Sequence, residues 1–401
     1  MDASAQEPTV SHVEALEGHR QAFAERFGDA QGARFFFSPG RINLMGAHLD
    51  YNGGPVMPAA IDRGTFLGVR PRADRTMRFA STVDGVELRF SLDDVPSMTS
   101  ASWTDYPLGV LLHVLRAGVP SHGAEVLFGG NLPIGAGLSS SASICVGLAF
   151  ALDQVWERDG TMSGFVESAL WGEREFVGVR CGIMDPYAVG YSRPGHLLWL
   201  DCKDASIDHV PLDPNGLLVA VSDTGVRRSL AQGAFNQRVS ECAQAFEMLR
   251  QHVPEATCLR DVPREVVHEH GGSLPENIAK RARHVTSEVA RTFDARAALG
   301  RGDLERFGAQ ITAAHHSLRE LFEVSIPELD TLVEASVRWP GVLGGRLTGA
   351  GFGGCVAMVL RKSARDGYRE HVAEAFEKRF GRTPTIEFFA THGGPAEIEL
   401  D

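Results

Sequence analysis

The sequence predicts an α+β chain built in two parts, and three observations carry that expectation. Short stretches of strand-like alternation dominate up to about residue 222. Long segments of helical period dominate from Arg238 onward. A strand-like run then returns at residues 355–360. The change of character places a boundary near residue 210. It gives a mixed half, 1–210, and a half, 211–401, whose helices cover a smaller sheet. A chain of 401 residues is long enough for two ordinary domains.

In chain order, the first fifteen residues read as a loose tail, and residues 11–27 carry the apolar spacing of an amphipathic helix. Residues 34–37 read as a strand running into a Gly/Pro turn, and 65–70 and 77–90 alternate like strands of an antiparallel sheet. A helix is expected over 106–117 and a strand over 123–128. A glycine-rich loop, 129–137, then feeds a helix from about Ser139 to Trp156. Residues 195–201 and 216–222 read as strands. Helical periods follow at 238–251, 276–299, 303–322 and 326–338, with a glycine-rich turn at 341–345 before the strand at 355–360.

Bulk properties exclude several function classes. The formal net charge of -12 argues against nucleic acid, since phosphate backbones call for a basic footprint. The most apolar stretch, 144–152, is too short to span a bilayer, and residues 1–5 lack the basic and apolar runs of a signal peptide. The six cysteines form no Cys-x-x-Cys pair. They are expected to be reduced thiols, mostly in the core, in a cytoplasmic protein.

Residues 129–143, GGNLPIGAGLSSSAS, are the most informative segment. Gly135 and Gly137 permit close backbone approach to a ligand, and Leu138 and the serines Ser139, Ser140 and Ser141 open a helix. The first N–H groups of a helix have no internal partner and sit at the positive end of its dipole, which favours phosphate oxygens. A serine hydroxyl there also suits Mg²⁺. The structural alternative is a flexible turn with a serine cap, but a cap requires one serine and this segment has three in a row. The Gly-Lys-Ser/Thr of a Walker A loop is absent, as is the final glycine of a dinucleotide fingerprint.

The loop resembles the phosphate loop of the GHMP kinases, the family of galactokinase, homoserine kinase and mevalonate kinase. Three further segments carry the same resemblance. Residues 38–54 (SPGRINLMGAHLDYNGG) are similar to the galactokinase signature, 182–186 (GIMDP) to the segment holding the catalytic aspartate, and 347–355 (LTGAGFGGC) to the third motif. Residues 103–106 and 317–330 add weaker likeness. The resemblance runs from about residue 13 to 359. It implies a two-domain GHMP fold, with a ribosomal protein S5 domain 2-like N-terminal domain and a ferredoxin-like C-terminal domain.

It also implies roles. Asp185 is the expected catalytic base, a carboxylate that takes the hydroxyl proton in phosphoryl transfer, and Arg41 its expected partner, able to stabilise the transferring group. Ser141 and Glu173 match the family's Mg²⁺ ligands. Asp50, with His48 and Gly182 beside it, matches the group that receives the sugar hydroxyls. Gly349 and Gly351 match the loop closing over sugar and phosphates, and Trp103 is the expected adenine contact. Asp185 as a helix cap, His48 as a structural histidine and Trp103 as a core aromatic are the competing readings.

Galactokinases usually read Gly-Glu-His in the first motif, where this chain reads Gly46-Ala47-His48. The missing glutamate is the one that binds the C6 hydroxyl of galactose in the enzymes it resembles. Alanine removes a charge that would repel a carboxylate at C6. Galacturonokinases share the Gly-Ala-His pattern, so D-galacturonate is the favoured substrate and D-galactose the alternative. Arg227, or Arg228, is the expected counter-charge. Phe235 stands where both groups of enzymes place a tyrosine. A non-catalytic ATP- and sugar-binding sensor is the reading from another class, and it is disfavoured because Asp185, Arg41 and the serine run are all present. The expected partners are the sugar or uronic acid, ATP and Mg²⁺, with no nucleic acid and no membrane; monomer and homodimer stay open.

Overall fold

A computed structural model of the chain describes residues 10–118, 120, 122–133, 137–212, 216–227 and 231–400, with the side chains of 10–12 and 231–232 left aside. Two sheets organise the described residues. The first uses β1 (Arg34–Met45), β2 (Pro55–Pro71), β3 (Thr76–Ser81), β4 (Glu87–Ser91), β5 (Ala124–Gly130), β6 (His196–Asp201) and β7 (Ser206–Pro211). The second uses β8 (Leu217–Asp223), β9 (Val342–Leu347), β10 (Cys355–Arg361) and β11 (Thr385–Phe389) in the order β11-β8-β10-β9, antiparallel throughout. A last short strand, β12 (Ala396–Glu397), returns to the first sheet, whose order is β12-β1-β2-β5-β3-β4, with β6 and β7 extending from the start of β2. Among the described residues, only the β3–β5 pair of the first sheet is parallel.

The helices are α1 (Val10–Phe27), α2 (Asp105–Val114), α3 (Ser140–Val155), α4 (Met162–Trp171), α5 (Met184–Tyr191), α6 (Ala231–Leu249), α7 (Arg264–His270), α8 (Glu276–Gly300), α9 (Leu304–Ser317), α10 (Pro327–Val337) and α11 (Tyr368–Phe380). Helix α3 packs on β1 and β2. Its Ser143, fully buried, donates to Ser38 O at 2.7 Å and lies 2.8 Å from Thr65 Oγ1, so a serine one turn into the helix fastens it to the sheet. Helix α8 touches α6 and α9 and also reaches β1, β2 and β7, which carries its side chains to the first motif. No described helix is long and apolar enough to cross a membrane, and all six cysteines are free.

Several expectations change. The strand at 34–37 does not stop at the Gly/Pro turn. It continues to Met45, because a register shift between Pro39 and Arg41 absorbs that turn as a bulge and turns the Arg41 N–H to Leu138 O at 3.0 Å. The run 77–90 divides into β3 and β4 around Gly85, whose φ is +68°. The glycines of the supposed turn at 341–345 lie mainly in β9. A Cβ on Gly344 would sit 1.9 Å from Gly308 O, so these glycines let β9 lie directly on α9. Elements α4, α5, α7, α11, β7, β11 and β12 had no counterpart in the sequence expectations.

That close approach gives the first prediction. Gly344→Ala forces the strand off α9 and destabilises the fold by about 1–3 kcal/mol, seen as a lowered denaturant midpoint in chemical unfolding. An unchanged midpoint would contradict the strand–helix contact.

Candidate active site

The site forms where β1, the N-terminus of α3 and the start of α5 converge. Arg41 sits on β1 just after the bulge, 4% exposed, and makes a two-pronged ion pair with Asp185: Nε to Oδ1 at 2.8 Å and Nη2 to Oδ2 at 2.7 Å. Its Nη1 donates to Gly137 O at 2.7 Å, so one guanidinium holds both the carboxylate and the glycine loop. The Ser139 hydroxyl donates to the same Asp185 oxygen that Nη2 reaches. Ser139 precedes α3 with φ +63°, a left-handed conformation that costs a serine energy and recurs at functional sites.

These groups wall a cavity of about 440 Å³, the scale of a small-molecule site. Among its lining residues are the expected Arg41, Ala47, His48, Asp50, Gly137, Leu138, Ser139, Ser140, Ser141, Glu173, Gly182, Asp185, Phe235 and Gly349. Gly135 lies outside the described residues. Gly351 and Trp103 do not line the cavity. The Trp103 ring sits edge-on to Phe128, with centroids 5.3 Å apart, against the core between α3 and the first sheet. Arg227 is also not brought to the cavity. It is held at the end of β8 by Asp223, with bonds of 2.8 and 2.6 Å, because that acid four residues earlier is within immediate reach. Arg228 lies outside the described residues.

Asp50 rests directly on Gly182, where any Cβ would fall 1.9 Å from Oδ2. Burial, reinforced by the Asp185 charge, pushes the Asp50 carboxyl up to about 6, with Arg41 opposing. His48 lies against the Phe322 ring, 4.6 Å between centroids, with Nδ1 2.9 Å from the Tyr51 hydroxyl; burial drives its pKa well down, so it is a neutral wall. Phe235 closes the same side, 5.6 Å from Tyr51.

Glu173 lies on a π-helical turn, Gly172–Phe176, that follows α4. It is buried, and among the described residues no cation pairs with it. Burial pushes its carboxyl up to about 7, with the neighbouring Ser141 hydroxyl opposing. A carboxylate and a hydroxyl with no counter-ion, opening on a phosphate-sized loop, fit a hard divalent cation such as Mg²⁺ that keeps most of its ligands as water and phosphate.

Sequence reasoning missed Asn43, Arg346, Glu288 and His284. Glu288 Oε1 accepts from the N–H groups of Gly46 and Ala47 at 3.1 and 3.2 Å. His284, held neutral by burial with its pKa lowered to about 4, donates from Nε2 to Ala47 O at 3.2 Å while Nδ1 accepts from Ser317. The available signal was the stripe Arg281, His284, Glu288 and Arg291 along α8, ionisable residues at helical spacing facing inward.

Comparison with known proteins points to one family. A family model described as the galactokinase galactose-binding signature matches residues 21–71. Models of the GHMP kinase N-terminal and C-terminal domains match 105–193 and 295–380. A protein named galactokinase from Roseiflexus sp. is 41% identical over 87% of this chain and 89% of its own. Another, from Exiguobacterium sibiricum, is 40% identical over 95% and 98%. The crystal structure of Lactococcus lactis galactokinase complexed with galactose superposes with a TM-score of 0.91 at 32% identity, covering 96% of this chain and all of that one. Methanococcus jannaschii mevalonate kinase, at 18% identity and a TM-score of 0.62, shares the fold.

The electrostatics predict that Asp50 titrates near pH 6 in the free protein, and that Asp185→Asn moves the midpoint down by removing the neighbouring charge and freeing Arg41. Carboxyl NMR of the two proteins checks this. A midpoint that stays put or rises in the variant would mean the two carboxylates do not interact.

Proposed function

The chain belongs to the GHMP kinases and, within them, to the galactokinase family, and from that premise we propose that it transfers the γ-phosphoryl group of ATP to the anomeric hydroxyl of D-galactose. The observation that carries the reading is the single guanidinium of Arg41 holding Asp185 and the glycine loop together, with Asp50 set beside them against Gly182.

In this reading the triphosphate lies along the loop and the free N–H groups at the start of α3. Asp50 accepts hydrogen bonds from ring hydroxyls and presents C1 to Asp185. The Asp185 carboxylate takes the C1 hydroxyl proton as the oxygen bonds to the γ-phosphorus and the β–γ bridging bond breaks, releasing ADP. Arg41 holds the carboxylate in line and faces the charge that develops on the phosphoryl oxygens. Glu173 and Ser141 would hold Mg²⁺, which neutralises phosphate charge when bound.

D-Galacturonate stands as a second reading on one observation: Ala47 lines the cavity and presents no hydrogen-bonding side chain to the sugar. The relatives named above that exceed 30% identity are galactokinases and lend it no support.

ADP release measured with each sugar separates the two. D-Galactose is expected to turn over, and Asp185→Asn to lower kcat by about 10²–10⁴ while leaving sugar affinity within a few-fold. Full activity in that variant would refute the assigned base. Ionised Asp50 accepts hydrogen bonds from hydroxyls through both oxygens and more strongly than the protonated acid. The sugar kcat/KM is therefore expected to fall as pH drops through about 6 and to level off above it.

A further inference from the structure

Ala47 is held by its backbone on both sides, and what surrounds it is not neutral. Glu288, fully buried, is shared by two guanidinium groups: Arg291 Nε at 2.8 Å from Oε2, and Arg346 Nη1 at 3.7 Å from Oε1. The nearest histidine, His284, is uncharged at neutral pH. Two cations on one carboxylate leave one positive charge over. The Glu288 oxygen facing Arg346 is the one that accepts the Ala47 N–H, so the guanidinium stands one carboxylate oxygen away from the residue that departs from the family pattern.

Arg346 is 1% exposed, lines the same cavity as Ala47, and donates from Nε to Leu347 O at 3.0 Å. Its Nη1 has no hydrogen-bond partner among the described residues. Asn43 Oδ1, also buried on the cavity wall, has none either. Buried donors and acceptors are nearly always paired, and an orphaned guanidinium nitrogen is costly enough to call for a ligand. Burial itself pushes the Arg346 group down to about 10, which leaves it charged at neutral pH. A glutamate at 47 would supply the missing anion from within the chain, whereas alanine leaves that to the substrate.

We infer that Arg346 is a specificity-determining residue of the sugar site, donating to the oxygen carried on C6. The inference rests on the sugar 1-kinase reading, and it holds for galactose and for its uronate, because both carry an oxygen at C6.

The test uses the full chain with MgATP and three sugars: D-galactose, D-galacturonate and 6-deoxy-D-galactose, which lacks that oxygen. In Arg346→Met the kcat/KM ratio of galactose to the 6-deoxy sugar is expected to fall at least tenfold. The ratio of galacturonate to the 6-deoxy sugar is expected to fall at least a hundredfold, with the KM for MgATP moving less than threefold. Ala47→Glu, which supplies the counter-charge internally, is expected to lower the galacturonate-to-galactose ratio at least tenfold. Equal loss on all three sugars in Arg346→Met would make the arginine a structural support and overturn the inference. So would a raised KM for MgATP with unchanged sugar ratios. Should Arg346→Met fail to fold, an unchanged galacturonate-to-galactose ratio in Ala47→Glu overturns it alone. Absence of C1 phosphorylation of every sugar by the unaltered protein would instead remove the kinase reading underneath.

Discussion

The ion pair between Arg41 and Asp185 is the constraint on which the site depends. It joins β1 to α5 across 144 residues of sequence, and the third arm of the same guanidinium fixes Gly137. A buried arginine with both prongs and its remaining arm engaged has no freedom to swing, so the carboxylate and the glycine loop are positioned relative to each other by one planar group. The cost of burying that charge is offset by three bonds of 2.7–2.8 Å. Ser139, strained into a left-handed conformation, adds a fourth restraint from the helix start. Preorganisation of this kind suits phosphoryl transfer, in which placing charge and reactants matters more than covalent chemistry by the protein.

The two halves of the chain meet over that pair through glycine. A Cβ on Gly349 would stand 2.9 Å from Gly137 O, so the loop of the third motif can lie this close to the phosphate loop only because position 349 lacks a side chain. Thr348 Oγ1 accepts the Asn43 N–H at 3.2 Å, and Glu288 and His284 hold the Ala47 backbone from α8. The second half thus braces the first motif. The backbone of the first motif is fixed by residues more than 200 positions later in the sequence.

How much of this was legible depended on range. The loop at 129–143, Asp185, Arg41 and Asp50 could be read because their chemistry lies in short, contiguous motifs, whereas Glu173 was legible only through the family resemblance; residues 137–141, Arg41, Asp50, Glu173 and Asp185 line one cavity. Arg346 could not, since its meaning comes from a carboxylate 58 residues earlier and an alanine 299 residues earlier in the chain. Arg227 was misplaced for a related reason: a basic residue in a suggestive segment says nothing about the closer acid, Asp223, that claims it. The β9 glycines read as a turn because local propensity favours that, and only contact with Gly308 on α9 makes them a strand. The short helices α4 and α5 were hidden by apolar and proline-containing stretches without a full helical period.

The return of β12 to the edge of β1 has a consequence for how the molecule is made. Phe36 and Phe37 pair with Glu397 and Ala396, and Arg34 grips Glu397 with bonds of 2.7 and 2.6 Å. The outer border of the first sheet therefore depends on a strand 363 residues further along the chain, although its other strands are synthesised far earlier. An unpaired border invites association with other nascent chains. Closing it late ties maturation of the amino-terminal layer to synthesis of β12, so a product lacking that strand would expose a sticky edge on the same strand that carries Arg41.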